Sequence, residues 1–216
     1  QYNMLEMIDI DSDGNKELFF VNLDTTGVVP SATAKIVTVD TNKRAVNEIS
    51  SVSIDGNVSG YKQITVADDG FIYVDAFKNE HDMITEIITW NEDTKTLQVP
   101  LFDDATQSTA ATWRSHRLPV NDIDADGKLE IPVGVEVTGS SQVKAGVLQE
   151  EGIYYVKWCS FDGKKLKAEK YCLYNEAEGY SLDVPSSWVG KITITSLDSQ
   201  WYFYRWNKSA SEHMGD

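Results

Sequence analysis

Two nine-residue stretches of the sequence have the oxygen-rich spacing that a hard cation needs. They cover residues 9–17 and 122–130, and both fit the pattern D-x-D-x-D-G-x-x-E. Carboxylates at positions one, three, five and nine, with the backbone carbonyl of position seven, supply the ligands that Ca²⁺ prefers, and glycine at position six allows a sharp turn. We therefore expect two structural calcium sites. The alternative is a pair of solvated acidic turns, because Asp and Gly are common turn residues.

The spacing is not that of an EF-hand. An EF-hand loop needs a bidentate glutamate at position twelve, where this chain has Phe20 and Val133. It also needs flanking helices, whereas both flanks here have the composition of strands. The sequence therefore indicates a shorter calcium loop set between β-strands.

Other chemistry has little support in the sequence. His81, His116 and His213 lack H-x-H or H-x-x-x-H spacing, so we expect no zinc or iron site. No G-x-S-x-G elbow or glycine-rich phosphate loop occurs. Paired carboxylates for glycoside hydrolysis carry no information in a chain with 34 acidic residues. We expect a protein without catalytic activity, and the alternative is a polysaccharide lyase or a glycoside hydrolase.

Tryptophans and one basic cluster are further candidates for binding. Trp90, Trp158 and Trp206 recur at equivalent places in the sequence, which favours packing between repeats over stacking on a sugar. Residues 113–117 read Trp-Arg-Ser-His-Arg and follow a polar segment. We expect an ordinary exposed loop there, with a docking point for an anionic partner or glycan as the alternative.

A repeat organises the strands that must hold these residues. Short runs rich in Val, Ile, Tyr and Phe alternate with polar turns. Turn glycines follow a strand and a polar run at Gly14, Gly70, Gly127 and Gly190, which are 56, 57 and 63 residues apart. A second hairpin follows each glycine, so every unit reads as four consecutive antiparallel strands.

The predicted fold is all-β, with antiparallel four-stranded meander repeats in a β-propeller-like arrangement that is incomplete or few-bladed. A pair of β-sandwiches is the alternative. We expect residues 1–174 to form the repeats that carry both calcium loops. Residues 175–216 form either a fourth, partial repeat or the start of a small C-terminal domain.

The acidic loops resemble the calcium loops of FG-GAP and VCBS-type repeats, which occur in integrin α-subunit propellers and in bacterial surface proteins and lipoproteins. The resemblance is carried by DIDSDGNKELFFV and DIDADGKLEIPVGV. The second unit has only Asp68-Asp69-Gly70, too few carboxylates for a site, and position nine is Glu where the family usually has Asp. The ligand set that the resemblance implies is Asp9, Asp11, Asp13, Asn15, Glu17, Asp122, Asp124, Asp126, Lys128 and Glu130.

Composition limits the partners and the location. The 216-residue chain has 19 Lys and Arg against 34 Asp and Glu, a formal charge of −15, so nucleic acid and anionic membranes are not expected as partners. No apolar run is long enough to span a membrane. Acidic loops are readily saturated by calcium outside the cytosol. We therefore expect an extracellular or bacterial cell-surface module, with a lipid anchor upstream left open, that binds protein or carbohydrate or serves as a spacer.

The two cysteines do not form a disulfide framework. Cys159 and Cys172 flank a predicted hairpin turn at Asp162-Gly163. Equal spacing about that turn puts the two cysteines roughly 20 Å apart along the strands. Half-buried free thiols are therefore favoured over a disulfide.

Overall fold

The structure is a computed structural model that describes residues 2–140, 152–197 and 200–206. These residues form β-strands and two short 3-10 helices, Ala110–Thr112 and Ser186–Trp188. None of the described helices is long and apolar enough to cross a membrane. The strands are β1 (Met4–Ile8), β2 (Glu17–Asp24), β3 (Ser31–Asp40), β4 (Ala45–Ile54), β5 (Gly60–Val66), β6 (Ile72–Phe77), β7 (Met83–Asn91), β8 (Thr96–Gln98), β9 (Ile131–Glu136), β10 (Tyr154–Phe161), β11 (Leu166–Asn175), β12 (Tyr180–Val184), β13 (Ile192–Leu197) and β14 (Gln200–Arg205).

The strands pair in sequence order. β1 to β4 form the first sheet, β5 to β8 the second, and β9 to β12 the third, while β13 and β14 form a two-stranded ribbon. Each strand in the three larger sheets lies beside its neighbour in sequence, which is the arrangement of a meander. The predicted all-β fold with antiparallel sheets is confirmed. β12 pairs with β11, and the division of the chain at residue 174 stays a prediction.

Burial alternates along β2 and β3, the two middle strands of the first sheet. Successive side chains of a strand point to opposite faces of the sheet. In β2, Phe19 and Val21 are fully buried, whereas Phe20 and Asn22 are only partly buried. The paired residues of β3 alternate in the same way, so the first sheet has one face in the core and one face open to solvent.

The chain divides into two compact units. The first comprises Gln1–Pro132 with Ser160–Lys167, and the second comprises Val133–Cys159 with Ala168–Asp216. In the first unit β1 contacts β5 and β4 contacts β8, so corresponding strands of the first two sheets lie against each other. Their shared core consists of Ile8, Phe19, Val21, Ala32, Ala34, Ile36, Ile54, Ile72, Val74, Ile88 and Leu97.

The second unit has its own core. Side chains from the third sheet pack with Ile194 of β13, and Trp201 of β14 lies against them. Cys159 and Cys172 are free thiols, as favoured, but they are buried rather than half-buried. Burial raises the pKa of Cys159 to about 11 and also raises the pKa of Cys172, so both behave as apolar core residues.

A buried ion pair anchors the segment that follows the second sheet. Arg114 and Asp75 are fully buried, and Nη2 of Arg114 lies 2.8 Å from Oδ1 of Asp75. Arg114 also donates hydrogen bonds to Oγ1 of Thr85 and to the carbonyl of Leu118, while the N–H of Val120 donates to Asp75. This segment leads directly into the second acidic stretch, so the ion pair helps to hold the backbone that precedes it.

A second buried carboxylate, Glu86, joins several segments of the first unit. Its Oε1 accepts a hydrogen bond from the N–H of Asp55 at 2.8 Å, and its Oε2 accepts one from the hydroxyl of Thr109 at 2.6 Å. Asp55 forms an ion pair with Lys78 at 2.8 Å. Burial raises the pKa of Glu86 to about 7, and the charge of Asp55 acts in the same direction. The ionised form of Glu86 is therefore less favoured in the folded chain than in the unfolded chain.

The substitution Arg114→Ala should destabilise the first unit strongly. Removing one partner of a buried ion pair leaves an uncompensated charge, which typically costs about 3 to 5 kcal/mol of unfolding free energy. Urea unfolding monitored by tryptophan fluorescence measures the change. The control is Lys43→Ala, because Lys43 pairs with Asp40 at 3.4 Å on the surface, where ion pairs contribute little. Similar unfolding midpoints for both variants would contradict the role given to Arg114.

The substitution Glu86→Gln should flatten the pH dependence of stability. Between pH 4.5 and about 7 the folded chain holds a proton on Glu86 that the unfolded chain releases. This group therefore contributes stability at low pH that is lost as the pH rises through this window. Gln keeps an acceptor for Asp55 and lacks the titration. Unfolding free energies measured across this pH window test the prediction, with the exposed substitution Glu6→Gln as the control. Parallel curves of unfolding free energy against pH for wild type and Glu86→Gln would refute it.

Candidate metal centres

The acidic stretches form two loops with the same closure. Loop 1 (residues 9–17) joins β1 to β2, and Ile8 pairs with Glu17. In loop 2 (residues 122–130), Asn121 and Glu130 form an antiparallel bridge with backbone hydrogen bonds of 3.1 and 2.9 Å, and β9 begins at the next residue. Each loop therefore lies between two antiparallel backbone segments, as the sequence repeat predicts.

In loop 1 the first aspartate organises the backbone. Oδ1 and Oδ2 of Asp9 accept hydrogen bonds from the N–H groups of Asp13 and Gly14 at 3.1 and 3.0 Å. Asp13 in turn accepts from the backbone N–H of Asn15 at 2.7 Å and from its side-chain amide at 3.1 Å. These bonds wind the chain around the carboxylates and satisfy backbone donors that a short exposed turn would otherwise leave to water.

Loop 2 repeats this hydrogen-bond pattern. Asp122 accepts from the N–H groups of Asp126 and Gly127 at 3.2 and 2.9 Å. Asp126 accepts from the N–H of Lys128 at 2.8 Å, and its N–H also lies 3.2 Å from Oδ1 of Asp124. The two loops, which are more than 100 residues apart in the sequence, therefore have the same local structure.

The backbone of both loops enters the left-handed region twice. At position six, Gly14 and Gly127 have φ values of 89° and 87°, which glycine adopts without a side-chain clash. At position four, Ser12 and Ala125 have φ values of 58° and 62°, which is unfavourable for a residue with a Cβ atom. The pattern D-x-D-x-D-G therefore encodes a specific double turn and not merely a polar connection.

The glutamate at position nine holds the start of each loop. Glu17 and Glu130 are both buried, with exposures of 6% and 3%. Oε2 of Glu17 accepts from the N–H of Ile10 at 3.2 Å, and Oε2 of Glu130 accepts from the N–H of Ile123 at 3.0 Å. The side chain of Glu at position nine thus caps position two of each loop.

Carboxylates converge in both loops. Among the residues that the structure describes, two groups of at least three potential ligands have oxygen atoms within 4.8 Å of one another. One group lies in each loop, at a distance that a single cation could bridge. The groups are Asp9, Asp11 and Asp13 in loop 1, and Asp122, Asp124 and Glu130 in loop 2.

The remaining residues of the predicted ligand set have other contacts. In loop 1, Glu17 lies outside the converging group and caps Ile10. The side chain of Asn15 donates to Asp13, which leaves its backbone carbonyl as the potential ligand. In loop 2, Oδ2 of Asp126 lies 3.7 Å from Nζ of Lys128, outside the group that contains Glu130.

Hydrogen bonds and like charges act in opposite directions on the pKa values of these carboxyls. The backbone N–H and side-chain amide of Asn15 lower the pKa of Asp13. For Asp122, burial raises the pKa, but hydrogen bonds from the loop backbone exceed that effect and lower it. Burial raises the pKa of Glu130, and the charges of Asp124, Asp126 and Asp122 raise it further. The ionised form of Glu130 is thus disfavoured in the ion-free loop, and a bound cation would favour it.

The chemistry of both groups suits a hard cation. All converging side-chain ligands are carboxylate oxygens, and Ca²⁺ accepts six to eight oxygens at about 2.3 to 2.6 Å in flexible geometry. Backbone carbonyls and water could complete the shell. The sequence repeat around Gly70 has no equivalent: Asp69 accepts from the N–H of Phe71 in an ordinary turn, and neither Asp68 nor Asp69 belongs to a converging group among the described residues.

The basic cluster at residues 113–117 is not the exposed loop that we expected. Arg114, its central cation, is fully buried against Asp75. Arg117 lies over the ring of Phe77, 5.5 Å from its centroid, and donates to the carbonyl of Glu80. The cluster therefore cannot present Arg114 to an anionic partner. A buried carboxylate opposite Arg114 overrides the general preference of arginine for the surface.

The tryptophans take part in packing. Trp158 is buried, and Trp90 packs against the core of the first unit while its Nε1 donates to Glu92 at 2.7 Å. The ring of Trp206 lies against Gly139, so closely that a Cβ atom at this position would clash with the ring. These contacts agree with the packing role predicted for them. Of the three histidines, His213 lies outside the described residues.

Sequence analysis missed the buried residues Asp75 and Glu86, and it placed Arg114 in an exposed loop. Asp75 and Glu86 lie in the central strands β6 and β7, within otherwise apolar runs. A single charged residue inside such a run was the available signal, because a run without apolar–polar alternation is typical of a strand buried on both faces, as β6 and β7 are. The partners of these residues come from distant parts of the chain, which no local pattern reveals.

Comparisons with known proteins give no relative for this chain. No protein-family model matches it, and neither the search of curated proteins nor the search of solved structures finds a significant match.

The substitution Glu130→Gln should raise the stability of the ion-free protein at neutral pH. It removes a carboxyl group whose pKa is raised by burial and by the charges of three aspartates. Gln keeps an oxygen that can accept a hydrogen bond from the N–H of Ile123. The same change should reduce the stabilisation gained from added Ca²⁺, because a charged ligand is lost. Thermal melts in chelator and in Ca²⁺ measure both effects. A variant that is less stable than wild type in chelator would contradict this assignment.

Proposed function

We propose that this protein is a calcium-stabilised, non-catalytic binding or adhesion module of an extracellular or bacterial cell-surface protein. The observation that carries the proposal is that the same arrangement of residues occurs in both acidic loops. Two loops with the same nine-residue pattern share their hydrogen bonds and their two left-handed positions, and each gathers three carboxylates. An acidic turn without a ligand needs no such repetition, because Asp forms turns through local hydrogen bonds alone.

Calcium fits the loops better than other common metals. The ligands would be the converging carboxylates with the carbonyl oxygens of Asn15 and Lys128, which is a hard, all-oxygen set. Mg²⁺ demands stricter octahedral geometry, and zinc in proteins usually takes nitrogen or sulfur ligands. Ca²⁺ bound there would offset the repulsion among the carboxylates and so stabilise the fold. Its role would be structural.

The arrangement of the first two sheets supports a propeller-like repeat of the FG-GAP and VCBS type. Each sheet is a four-stranded meander, and equivalent strands of the two sheets lie against each other, β1 with β5 and β4 with β8. Consecutive meanders that stack through their faces are the building principle of propeller blades. Loop 1 lies between the first two strands of the first sheet, and loop 2 lies directly before β9, the first strand of the third sheet.

The net charge and the metal chemistry support an extracellular location and a protein or carbohydrate partner. Loops of this kind are saturated where calcium reaches millimolar concentration, outside the cytosol. A net charge of −15 disfavours nucleic acid and anionic lipid, and leaves a protein or a carbohydrate as the ligand class. A lipid anchor upstream of the sequence is compatible with this proposal.

The buried acidic groups favour binding over hydrolysis. A lyase or glycoside hydrolase needs carboxylates that reach a substrate in a cleft. Asp75 and Glu86 are less than 2% exposed, and both are occupied by hydrogen bonds inside the first unit. The open depression on the first sheet contains a single carboxylate, that of Glu48. The described part of the chain therefore gives the enzyme alternative little support.

The substitutions Asp11→Asn and Asp124→Asn should each remove one calcium site. Each keeps the shape of the side chain and lowers the charge of its group, so calorimetric titration should give one site for each single variant and none for the double variant. An ion at 100 times its Kd adds about 2.7 kcal/mol of stability per site. Melts in Ca²⁺ and in chelator should show that gain falling stepwise.

The matched control is Asp93→Asn, which removes one charge from an exposed turn of the same sheet system. It should bind two ions and melt as wild type does in both buffers. Because the two loops are distant in sequence and share no residues, their losses should add. Wild-type melts that are identical in Ca²⁺ and in chelator would refute a structural role for the ion. Loss of turnover of a glycan without loss of stability would favour the enzyme.

A further inference from the structure

A buried segment without continuous sheet pairing lies on the second sheet. We call residues 109–121 the covering segment, which ends where loop 2 begins. Its regular structure is limited to one 3-10 helix and to isolated bridges at Arg114 and Asn121. Thr109, Thr112 and Arg114 are nevertheless fully buried. The covering segment is therefore held in the first unit mainly by single hydrogen bonds and side-chain contacts.

The upstream half of the covering segment is fixed by two threonines. The hydroxyl of Thr109 donates to Oε2 of Glu86 at 2.6 Å, and its N–H donates to Oδ2 of Asp55 at 3.1 Å. The hydroxyl of Thr112 donates to the carbonyl of Thr85 at 2.8 Å and accepts from the N–H of Thr85 at 2.9 Å. All of these partners belong to the first unit, and none of them lies in loop 2.

The downstream end depends on the residues that border loop 2. The N–H of Val120 donates to Oδ2 of Asp75 at 3.1 Å. The next residue, Asn121, exchanges two backbone hydrogen bonds of 3.1 and 2.9 Å with Glu130. Two of the three hydrogen bonds that hold this end therefore involve the residue that closes loop 2.

The side chain of Glu130 also belongs to the converging group of loop 2. It is 3% exposed, and its carboxylate lies within 4.8 Å of those of Asp122 and Asp124. Within the part of the chain that the structure describes, no Lys or Arg forms an ion pair with Glu130. A buried ionised carboxylate normally pairs with a cation or coordinates a metal. The buried carboxylate therefore favours an external cation in loop 2, independently of the exposed aspartates.

The position of Asn121 couples this group to the covering segment. Asn121 and Asp122 are consecutive, so a movement that separates Asn121 from Glu130 also draws Asp122 away from Glu130. A cation that bridges Asp122 and Glu130 would resist that movement. Without the cation, the like charges of Asp122 and Asp124 oppose the approach of Glu130. Ion binding and docking of the covering segment therefore favour each other.

Loop 1 has no comparable coupling. The strands on its two sides pair at five positions, from Ile8 with Glu17 to Met4 with Val21. Its converging group consists of three exposed aspartates and does not include Glu17. Regular sheet pairing therefore closes loop 1, and a cation there would act only on the hairpin itself.

We propose that a Ca²⁺ ion in loop 2 acts as a clasp that keeps the covering segment docked on the second sheet, whereas an ion in loop 1 does not. This inference rests on the proposed function, because it takes both loops to be calcium sites. Loss of the ion from loop 2 raises the population in which residues 109–121 are detached while the sheets stay folded. Calcium concentration thus controls the exposure of one particular segment and not only the overall stability.

Residue-resolved hydrogen exchange of the full chain, in chelator and in Ca²⁺ at 100 times the Kd of loop 2, tests this proposal. In wild type, Ca²⁺ should slow exchange at the N–H groups of Arg114 and Val120 about 100-fold, because an ion that binds only the docked state lowers the detached population by that factor. Asp124→Asn should lose this slowing. Asp11→Asn is the matched control at the equivalent position of loop 1, and it should retain the slowing.

Calorimetric titration of the same samples separates the two ways in which the experiment can fail. Exchange at Arg114 and Val120 that is unaffected by Ca²⁺, while loop 2 binds an ion, overturns the clasp and leaves the proposed function intact. The same holds if Asp11→Asn loses the slowing as fully as Asp124→Asn does. Absence of ion binding in the titration refutes the clasp and the proposed function together.

Linkage requires the reverse effect as well, because docking of the covering segment must then strengthen ion binding. Thr85→Val removes a hydroxyl that donates to Asp75 at 2.6 Å and accepts from Arg114 at 2.9 Å. It should raise the Kd of loop 2 at least about fivefold, the lower end of typical coupling between linked sites, and leave the Kd of loop 1 unchanged. Each Kd is measured in the variant that lacks the other site.

Thr89→Val is the matched control, because Thr89 lies in the same strand and is only partly buried. It should leave both Kd values unchanged. Arg114→Lys is a second variant, because it keeps a charge opposite Asp75 and loses the planar guanidinium that bonds to several partners. Equal changes in the Kd of both loops, or no change at loop 2 in folded Thr85→Val and Arg114→Lys, overturn the proposal.

Discussion

The ion pair between Asp75 and Arg114 is the constraint on which the first unit depends. Asp75 lies in a central strand of the second sheet that is buried along almost its whole length, and a charge there is tolerable only if it is fully paired. Arg114 meets this need and in doing so fixes a long segment that has almost no sheet pairing of its own. The backbone of Arg114 also bonds both ways with Met83 at 2.9 Å, so the side chain and the main chain anchor the segment together.

In the acidic loops, unlike at Asp75, most carboxylates are exposed and have no cation as a partner. Here carboxylates stay near the surface and are crowded instead of paired, and backbone N–H groups stabilise some of them. Glu17 and Glu130 are the exceptions, because both are buried, and the pKa of Glu130 is raised by burial and by three aspartates. The protein thus pairs the buried Asp55 and Asp75 with its own cations, and concentrates unpaired carboxylates in the loops, where an external cation could reach them.

Sequence reasoning succeeded where the information was local. Alternation of apolar residues and recurring turn glycines predicted antiparallel meanders, and the spacing of Asp9, Asp11 and Asp13 predicted their convergence, because both depend on neighbours within a few residues. It failed for Arg114, whose partner lies 39 residues away in a chain with many carboxylates. It also could not decide that Glu130, and not Asp126, joins Asp122 and Asp124, because that choice depends on side-chain rotamers.

The left-handed residues Ser12 and Ala125 have a consequence for the kinetics of ion capture. Both loops hold this unfavourable backbone conformation through hydrogen bonds to their own carboxylates, so the chain is ordered at these points as part of folding. A cation that bound there would meet a preformed receptor and would not need a loop to close around it. Its rate of binding would then depend on the loss of its own hydration shell and on electrostatic attraction to the acidic surface. Its release would require no unfolding, so such a site would exchange its ion with the surrounding fluid.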